Sequence, residues 1–289
     1  DLVRLGGVAT GSSGLGSLSY PDLAHYRENQ NALVDLAGWG SGSAGMALTV
    51  GRSGERTAGT GLFVSDNYFD VLGTRPAVGR WFLPEEDRTE GTHLVAVISH
   101  GFWSRAFGAD PGVVGETVEV NGSPFTVVGV APEGFRGTSA VVVPPDVWVP
   151  FHSQPVLAPR YFSMLQREEG RGWNWVHGIG RLRTGVTLEA AQDEMDGLSL
   201  YLQGNFAEWS SSDVRLDAGL TRSGEGTLNA MIRLPMVAVA AVLLVASANI
   251  AILLLARGSV RSREVAVRMA VGAGRGRIVR AALTESLVL

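Results

Sequence analysis

LPMVAVAAVLLVASANIAILLLA, residues 234–256, runs for twenty-three positions without a charged side chain. At about 1.5 Å of rise per residue such a helix is roughly 34 Å long, enough to cross a hydrocarbon core of about 30 Å. Arg233 and Arg257 close its two ends, and seven arginines lie between residues 257 and 280. Positive charge is retained on the cytoplasmic side of a membrane helix. The pattern predicts a spanning helix over 234–256, an extracytoplasmic domain over 1–232 and a cytoplasmic segment over 257–280.

The formal charge of −4 conceals a division along the chain. Residues 1–256 carry 17 arginines and 26 acids, a net of −9; residues 257–289 carry 7 arginines and 2 acids, a net of +5. An acidic ectodomain joined to a basic tail suits a membrane protein whose cationic segment meets anionic lipid headgroups or a cytoplasmic partner. It speaks against nucleic acid. Cysteine is absent, so disulfides and thiolate metal sites are unavailable. All 24 basic residues are arginine, which removes the lysine that a phosphate-binding loop or a Schiff-base enzyme needs. Asp1 opens without methionine or leader, and residues 278–289 begin a new apolar stretch. The sequence therefore reads as a piece of a longer chain, with a membrane helix or signal expected upstream.

Outside the span, strand and helix signals alternate. Residues 2–5 read as a strand and 6–18 as a Gly/Ser-rich loop. Ser19, Pro21 and Asp22 form a helix start: a hydroxyl cap, proline in the first turn and an acid three residues on. Leu23, Tyr26, Leu33 and Leu36 fit a helix interrupted at 27–31, and 38–45 reads as punctuation. MALTV is an alternating strand, VSDNYFDVLG a strand end with a short helix, and GRWFLPEEDRTEG a polar loop. LVAVIS (94–99) reads as a buried strand and 100–107 as a short helix. TVEV, Asn121-Gly122 and SPFTVVGV make a hairpin, and VVVPPDVWVPF adds a strand. WNWVHGIGRL is a further strand, and 187–202 an amphipathic helix with Leu188, Ala191, Met195, Leu198 and Leu202 on one face. VRLDAGL is the last strand, with TRSGEGTLN as a link. The fold class is α+β: a membrane-proximal α/β part from about 1–62 and 173–228, a β-rich insert over about 63–172, then the start of a membrane domain over 233–289.

Signatures of catalysis are missing: no serine has glycine at both −2 and +2. Histidines 25, 93, 100, 152 and 177 show no metal-ligand spacing, and Ser99-His100 reads as a strand-to-helix cap. Glu85-Glu86-Asp87 lacks the spaced oxygens of a calcium loop and reads as a solvated helix start, with a hard-cation site as the sharper alternative. Catalytic, cofactor and metal sites are thus all expected to be absent. Trp173 and Trp175 share a strand face, as core anchors or as a ligand surface. Ser247 and Asn249 are polar groups within the span and call for hydrogen bonds to neighbouring helices.

RSREVAVRMAVGA, residues 261–273, is the most specific local pattern. As a helix it aligns Val260, Glu264, Val267 and Val271 on one side with Arg261 and Arg268 flanking, and Gly272, Gly274 and Gly276 end it. Such a helix can lie on headgroups, dock into a groove of another protein, or act only as a charged topological stop. The run, with IVRAALTESL after it, resembles the cytoplasmic loop of FtsX/MacB-type ABC transporter permeases. SYPDLAHYR, VSDNYFDVLGTRPAVGRWFLPEED, VAVISHGFWSRAFGADPGVVGETVEVNGSPFTVVGVAP and GRLRTGVTLEAAQDEM are similar to the MacB-type periplasmic core, so the resemblance covers nearly the whole chain. The phrasing is closest to the duplicated orphan permeases, which carry two such units and no fused ATPase.

The resemblance implies a non-catalytic permease subunit in a bacterial inner membrane, paired with a second permease unit as a dimer or pseudo-dimer. It implies a cytoplasmic ABC ATPase partner whose cycle moves the extracytoplasmic domain. Positions matching the coupling motif are Arg261, Arg263, Glu264, Val267, Arg268, Met269, Gly272 and Ala273. Two other readings remain open at the level of sequence: a membrane-anchored receptor or sensor, and a tethered enzyme, which the missing motifs disfavour.

Overall fold

The computed structural model describes residues 1–8, 15–40, 46–51, 56–138, 144–159, 165, 169–206, 213–219, 225–270, 274, 276 and 280. Twelve strands and six α-helices are found among them. The strands are β1 (Leu2–Gly7), β2 (Leu18–Ser19), β3 (Leu33–Gly40), β4 (Met46–Gly51), β5 (Thr57–Val64), β6 (Val78–Gly79), β7 (Val95–Ile98), β8 (Thr117–Val120), β9 (Ser123–Val130), β10 (Val147–Pro150), β11 (Asn174–Leu182) and β12 (Val214–Ala218). The helices are α1 (Tyr20–Asn29), α2 (Tyr68–Leu72), α3 (His100–Phe107), α4 (Gln154–Leu157), α5 (Leu188–Asn205) and α6 (Glu225–Ala270). Two compact units result, Asp1–Gly226 and Thr227–Leu289.

Within the first unit, β10, β7, β9, β8, β4 and β5 are hydrogen-bonded in that order, and β5 pairs again with β10. Six strands therefore close into a ring. The closing contact is parallel, from Val147↔Gly61 to Pro150↔Val64. The β8–β9 hairpin within the ring is local: Asn121 (φ 50°) and Gly122 (φ 84°) supply the two positive-φ residues that match a two-residue turn to strand twist. Alternate residues of the ring strands fall in two cores. Ala96, Ile98, Phe125, Val127, Val147 and Val149 pack in one, together with Phe102 and Phe107 of α3. Val95, Val97, Leu62, Val64 and Trp148 pack in the other with Tyr68 and Phe69 of α2 and with Trp81 and Phe82. Burial on both faces is why LVAVIS and VWVPF are continuous apolar runs.

Close approach fixes the edge of the ring. A Cβ built at Gly129 would lie 2.2 Å from the carbonyl oxygen of Arg80, a backbone atom held by the pairing of β6 with β9. Gly129→Ala must push those strands apart, and a loss of about 2 kcal/mol is expected in denaturant titration. A loss within about 0.5 kcal/mol would show that the contact yields freely.

The same sheet continues from β5 of the ring into an antiparallel stretch, β3-β11-β1-β12. It brings together the two ends of the unit Asp1–Gly226. Helices α1 and α5 cover one face, and α2 touches the other. Gly38 is required under α1, since a Cβ there would lie 2.3 Å from Leu23 Cδ2 and 2.9 Å from Phe151 Cε2. Ser19 caps α1 by accepting from the Asp22 amide at 3.2 Å, and Thr187 caps α5.

Three expectations need correction. Residues 33–40 are strand, and the apparent helical spacing of Leu33 and Leu36 comes from a bulge. Gly180 pairs with Leu36 but Leu182 with Leu33, so one extra residue in β3 lets positions three apart reach the same core. The run at 79–91 is no solvated loop: Trp81, Phe82, Glu86 and Asp87 are buried around a 3-10 turn at Pro84–Asp87. The link after the last strand turns helical at Glu225; residues 220–224 lie outside those described.

Candidate functional site: a long helix carrying the basic motif

Helix α6 is 46 residues long, about 69 Å at helical rise. Its stretch Pro235–Leu253 has a mean hydropathy of 2.5 and is the one helical segment among the described residues long and apolar enough to cross a membrane. Met236, Val237, Val242, Leu244, Ile252 and Leu255 are exposed by 63–73%, on all sides of the helix. An all-round apolar helix with no protein packed on it needs an apolar surrounding from elsewhere. Pro235 stands at the start of this stretch, where it withholds an amide from the helical ladder.

Ser247 and Asn249 are both exposed within this stretch. Two positions apart at 100° per residue places them about 200° apart, on opposite sides of the helix. The backbone then continues as helix through Arg261, Arg263, Glu264, Val267, Arg268 and Met269, with no break after Arg257. Val267 is 64% exposed. Positions 261, 264 and 268 recur at i, i+3 and i+7 and share one side of the backbone. Gly272 and Ala273 lie outside the described residues. The structure thus strings the motif onto the same helix as the apolar stretch, where the sequence suggested a separate short helix.

The unit Asp1–Gly226 carries buried polar clusters. Glu85-Glu86-Asp87 separates into distinct roles. Glu86 receives two bonds from Arg80, at 2.7 and 2.8 Å, and one from the Leu83 amide at 2.8 Å. Asp87 accepts from the His152 amide and faces its Nδ1, both at 3.0 Å. Burial pushes the Asp87 carboxyl above the usual range, against the opposing pull of His152. Asp22 on α1 is paired with Arg171, whose guanidinium lies 4.0 Å over the Phe206 ring. Burial likewise raises Asp22, with Ser19 and Arg171 acting the other way. His177 stacks on Trp39 with ring centroids 4.4 Å apart, and burial lowers it to about 4.

No group of three or more His, Asp or Glu suited to a metal occurs among the described residues. Ser99 caps α3 by accepting from the Phe102 amide at 3.1 Å. Trp175 is buried and Trp173 is half-exposed just before β11, so the two do not act as one surface. Sequence reasoning did not find the Asp22–Arg171 pair, whose members stand 149 residues apart. Only the single acid in the first turn of α1 hinted at it.

Residues 2–198 match the family described as the MacB-like periplasmic core domain. Among curated relatives, the macrolide export ATP-binding/permease protein MacB of Salmonella paratyphi A is 28% identical over 233 residues. A probable export ATP-binding/permease protein of Pseudomonas fluorescens is 26% identical over 231 residues. Each alignment covers 78% of this chain and 32% of the relative, so the chain spans about a third of their length. Among solved structures, the periplasmic region of MacB from Actinobacillus actinomycetemcomitans superposes with a TM-score of 0.51 at 16% identity, covering 75% of this chain and 87% of that one. The extracellular domain of the ABC-type transporter YknZ from Gram-positive bacteria gives 0.50 at 16%, covering 75% of this chain and all of that one. At such identity the likeness is one of fold.

Proposed function

We propose that this chain, which belongs to the family of MacB-like periplasmic core domains through residues 2–198, is part of a non-catalytic permease subunit of an ABC-type transport or mechanotransmission system. The carrying observation is the unbroken helix that runs from the apolar stretch into the basic motif. In this reading the unit Asp1–Gly226 lies outside a bacterial inner membrane, with the ring as its distal part; β4 and β5 belong to that ring, so the distal part begins ahead of the boundary expected near residue 63. Residues 234–256 cross the bilayer, and 257–280 enter the cytoplasm among anionic headgroups.

Residues 261–273 then contact a cytoplasmic ATPase subunit. A helix transmits displacement along its hydrogen-bonded axis, so a push at the motif moves the spanning segment with it. Ser247 and Asn249, on opposite sides of the helix, require partners in two directions. Further spans and a second permease unit, as a dimer or pseudo-dimer, supply them. Export or efflux is the direction of work that the names of the relatives suggest.

The test is reconstitution of the full-length protein with ABC ATPase subunits from the same genome. Wild type is compared with the double variant Glu264→Arg/Arg268→Glu for co-purification and ATP turnover. At least a tenfold loss of association is expected, equivalent to about 1.4 kcal/mol. A bound ATPase indifferent to the reversal would remove the motif from the contact. Absence of any bound ATPase would favour a membrane-anchored receptor.

A further inference from the structure

Among the described residues, strand β12 lies at one end of the sheet and pairs only with β1. The bonds from Val8 to Asp213 (2.7 Å) and from Gly219 to Leu2 (3.1 Å) set the alternation: odd-numbered residues 213–219 face β1. The amides and carbonyls of Val214, Leu216 and Ala218 therefore point to the free edge. Gln192 of α5 meets that edge. Its Oε1 accepts from the Leu216 amide at 2.7 Å, and its Nε2 donates to the Val214 carbonyl at 2.9 Å. One donor and one acceptor, spanning residues i+1 and i−1, is what a single residue of a parallel neighbouring strand provides. The side-chain amide stands in for a missing strand.

Beside this edge runs an open groove of about 880 Å³ between α5 and β12. Glu189, Asp196, Leu200, Asp213 and Arg215 line it with Gln192. The helical positions 189 to 200 span about 17 Å, the length of five extended residues. Asp196 accepts from Gln192 at 2.7 Å and Asp213 from Gln203 at 3.0 Å. Among the described residues no arginine pairs with Glu189, Asp196 or Asp213, so three carboxylates face the groove against one guanidinium.

We infer that this groove binds an extended cationic peptide segment, which adds to β12 as a strand in place of the Gln192 carboxamide and sets its basic side chains against Glu189, Asp196 and Asp213. Main-chain bonds to the edge supply affinity, and the carboxylates select charge. A metal ion or small amine would satisfy the carboxylates and leave the edge to Gln192. A neutral strand would satisfy the edge and leave the carboxylates uncompensated. Only a basic extended segment answers both. The inference is independent of ATPase coupling, because every residue involved belongs to the unit Asp1–Gly226.

The test uses the full-length protein in nanodiscs and an acetylated seven-residue peptide of alternating lysine and valine. A second peptide has the same side chains with every backbone nitrogen methylated. The parent is expected to bind at least tenfold more tightly than the methylated peptide. Asp196→Asn/Asp213→Asn is expected to weaken the parent at least tenfold, and Gln192→Ala to tighten it several-fold by removing the competitor. Equal binding of the two peptides would reduce the groove to diffuse negative charge and overturn the inference. So would no binding by either, or no gain from a folded Gln192→Ala, which would leave Gln192 as a cap on an unused edge. The peptide comparison is made on wild type and does not depend on any variant folding.

Discussion

Arg171→Met is expected to destabilise the unit Asp1–Gly226 by about 3–5 kcal/mol, a large part of the 5–15 kcal/mol that holds a typical domain. Both members of the pair are sealed, with 8% of each side chain exposed. Removing Arg171 leaves the Asp22 carboxylate without its counter-charge inside α1. The remaining help comes from Ser19, at the cap of the same helix, and to a lesser degree from His25. Methionine keeps apolar contact with Phe206, so the loss reports mainly the orphaned charge. Adding Asp22→Asn should restore most of the stability, because an absent ion pair costs less than half of one. All seven tryptophans of residues 1–289 precede residue 226, so tryptophan fluorescence of this 289-residue stretch in detergent follows this unit alone. A single variant within about 1 kcal/mol of wild type would mean that water reaches Asp22.

The second large effect is on acid stability. His177 is held near 4 against an ordinary value of 6.5, chiefly because burial beside Trp39 disfavours its charged form. Between these values the unfolded chain binds a proton that the folded one refuses, so stability rises with pH across the window. The contribution is complete above about pH 6.5 and is lost as pH falls through about 4, a change of about 3 kcal/mol. Asp22 and Asp87 are raised by burial and work in the opposite sense, since their folded forms hold protons longer. The difference between wild type and His177→Phe isolates the histidine while preserving a ring against Trp39. Parallel pH profiles for the two proteins would rule the mechanism out.

Local chemistry made much of this fold readable. Ser19-Tyr20-Pro21-Asp22 named its own helix start, and Asn121-Gly122 its own turn. The doubly buried strands β7 and β10 announced themselves as unbroken apolar runs. Long-range consequences stayed hidden. Nothing near Leu33 discloses a bulge that depends on β11, about 150 residues away. Nothing near residues 61 and 147 says that β5 and β10 meet to close a ring. The same limit applies to the candidate sites. The basic motif was visible because it is contiguous, whereas the groove beside β12 exists only because α5 carries Gln192 across to an edge strand.

The order in which strands pair also sets an order of assembly. Every strand of the ring lies between residues 46 and 150, so the ring is complete in the chain before β11 and β12 have been made. Strand β1, in contrast, finds its partners only at 178–181 and 214–218, and β3 waits for β11. Loop closure over such separations is slow and entropically costly. In a chain that emerges from its N-terminus, the ring can therefore form while β1 and most of β3 still lack neighbours. The two ends of the unit Asp1–Gly226 would then be drawn together last, around a nucleus already in place.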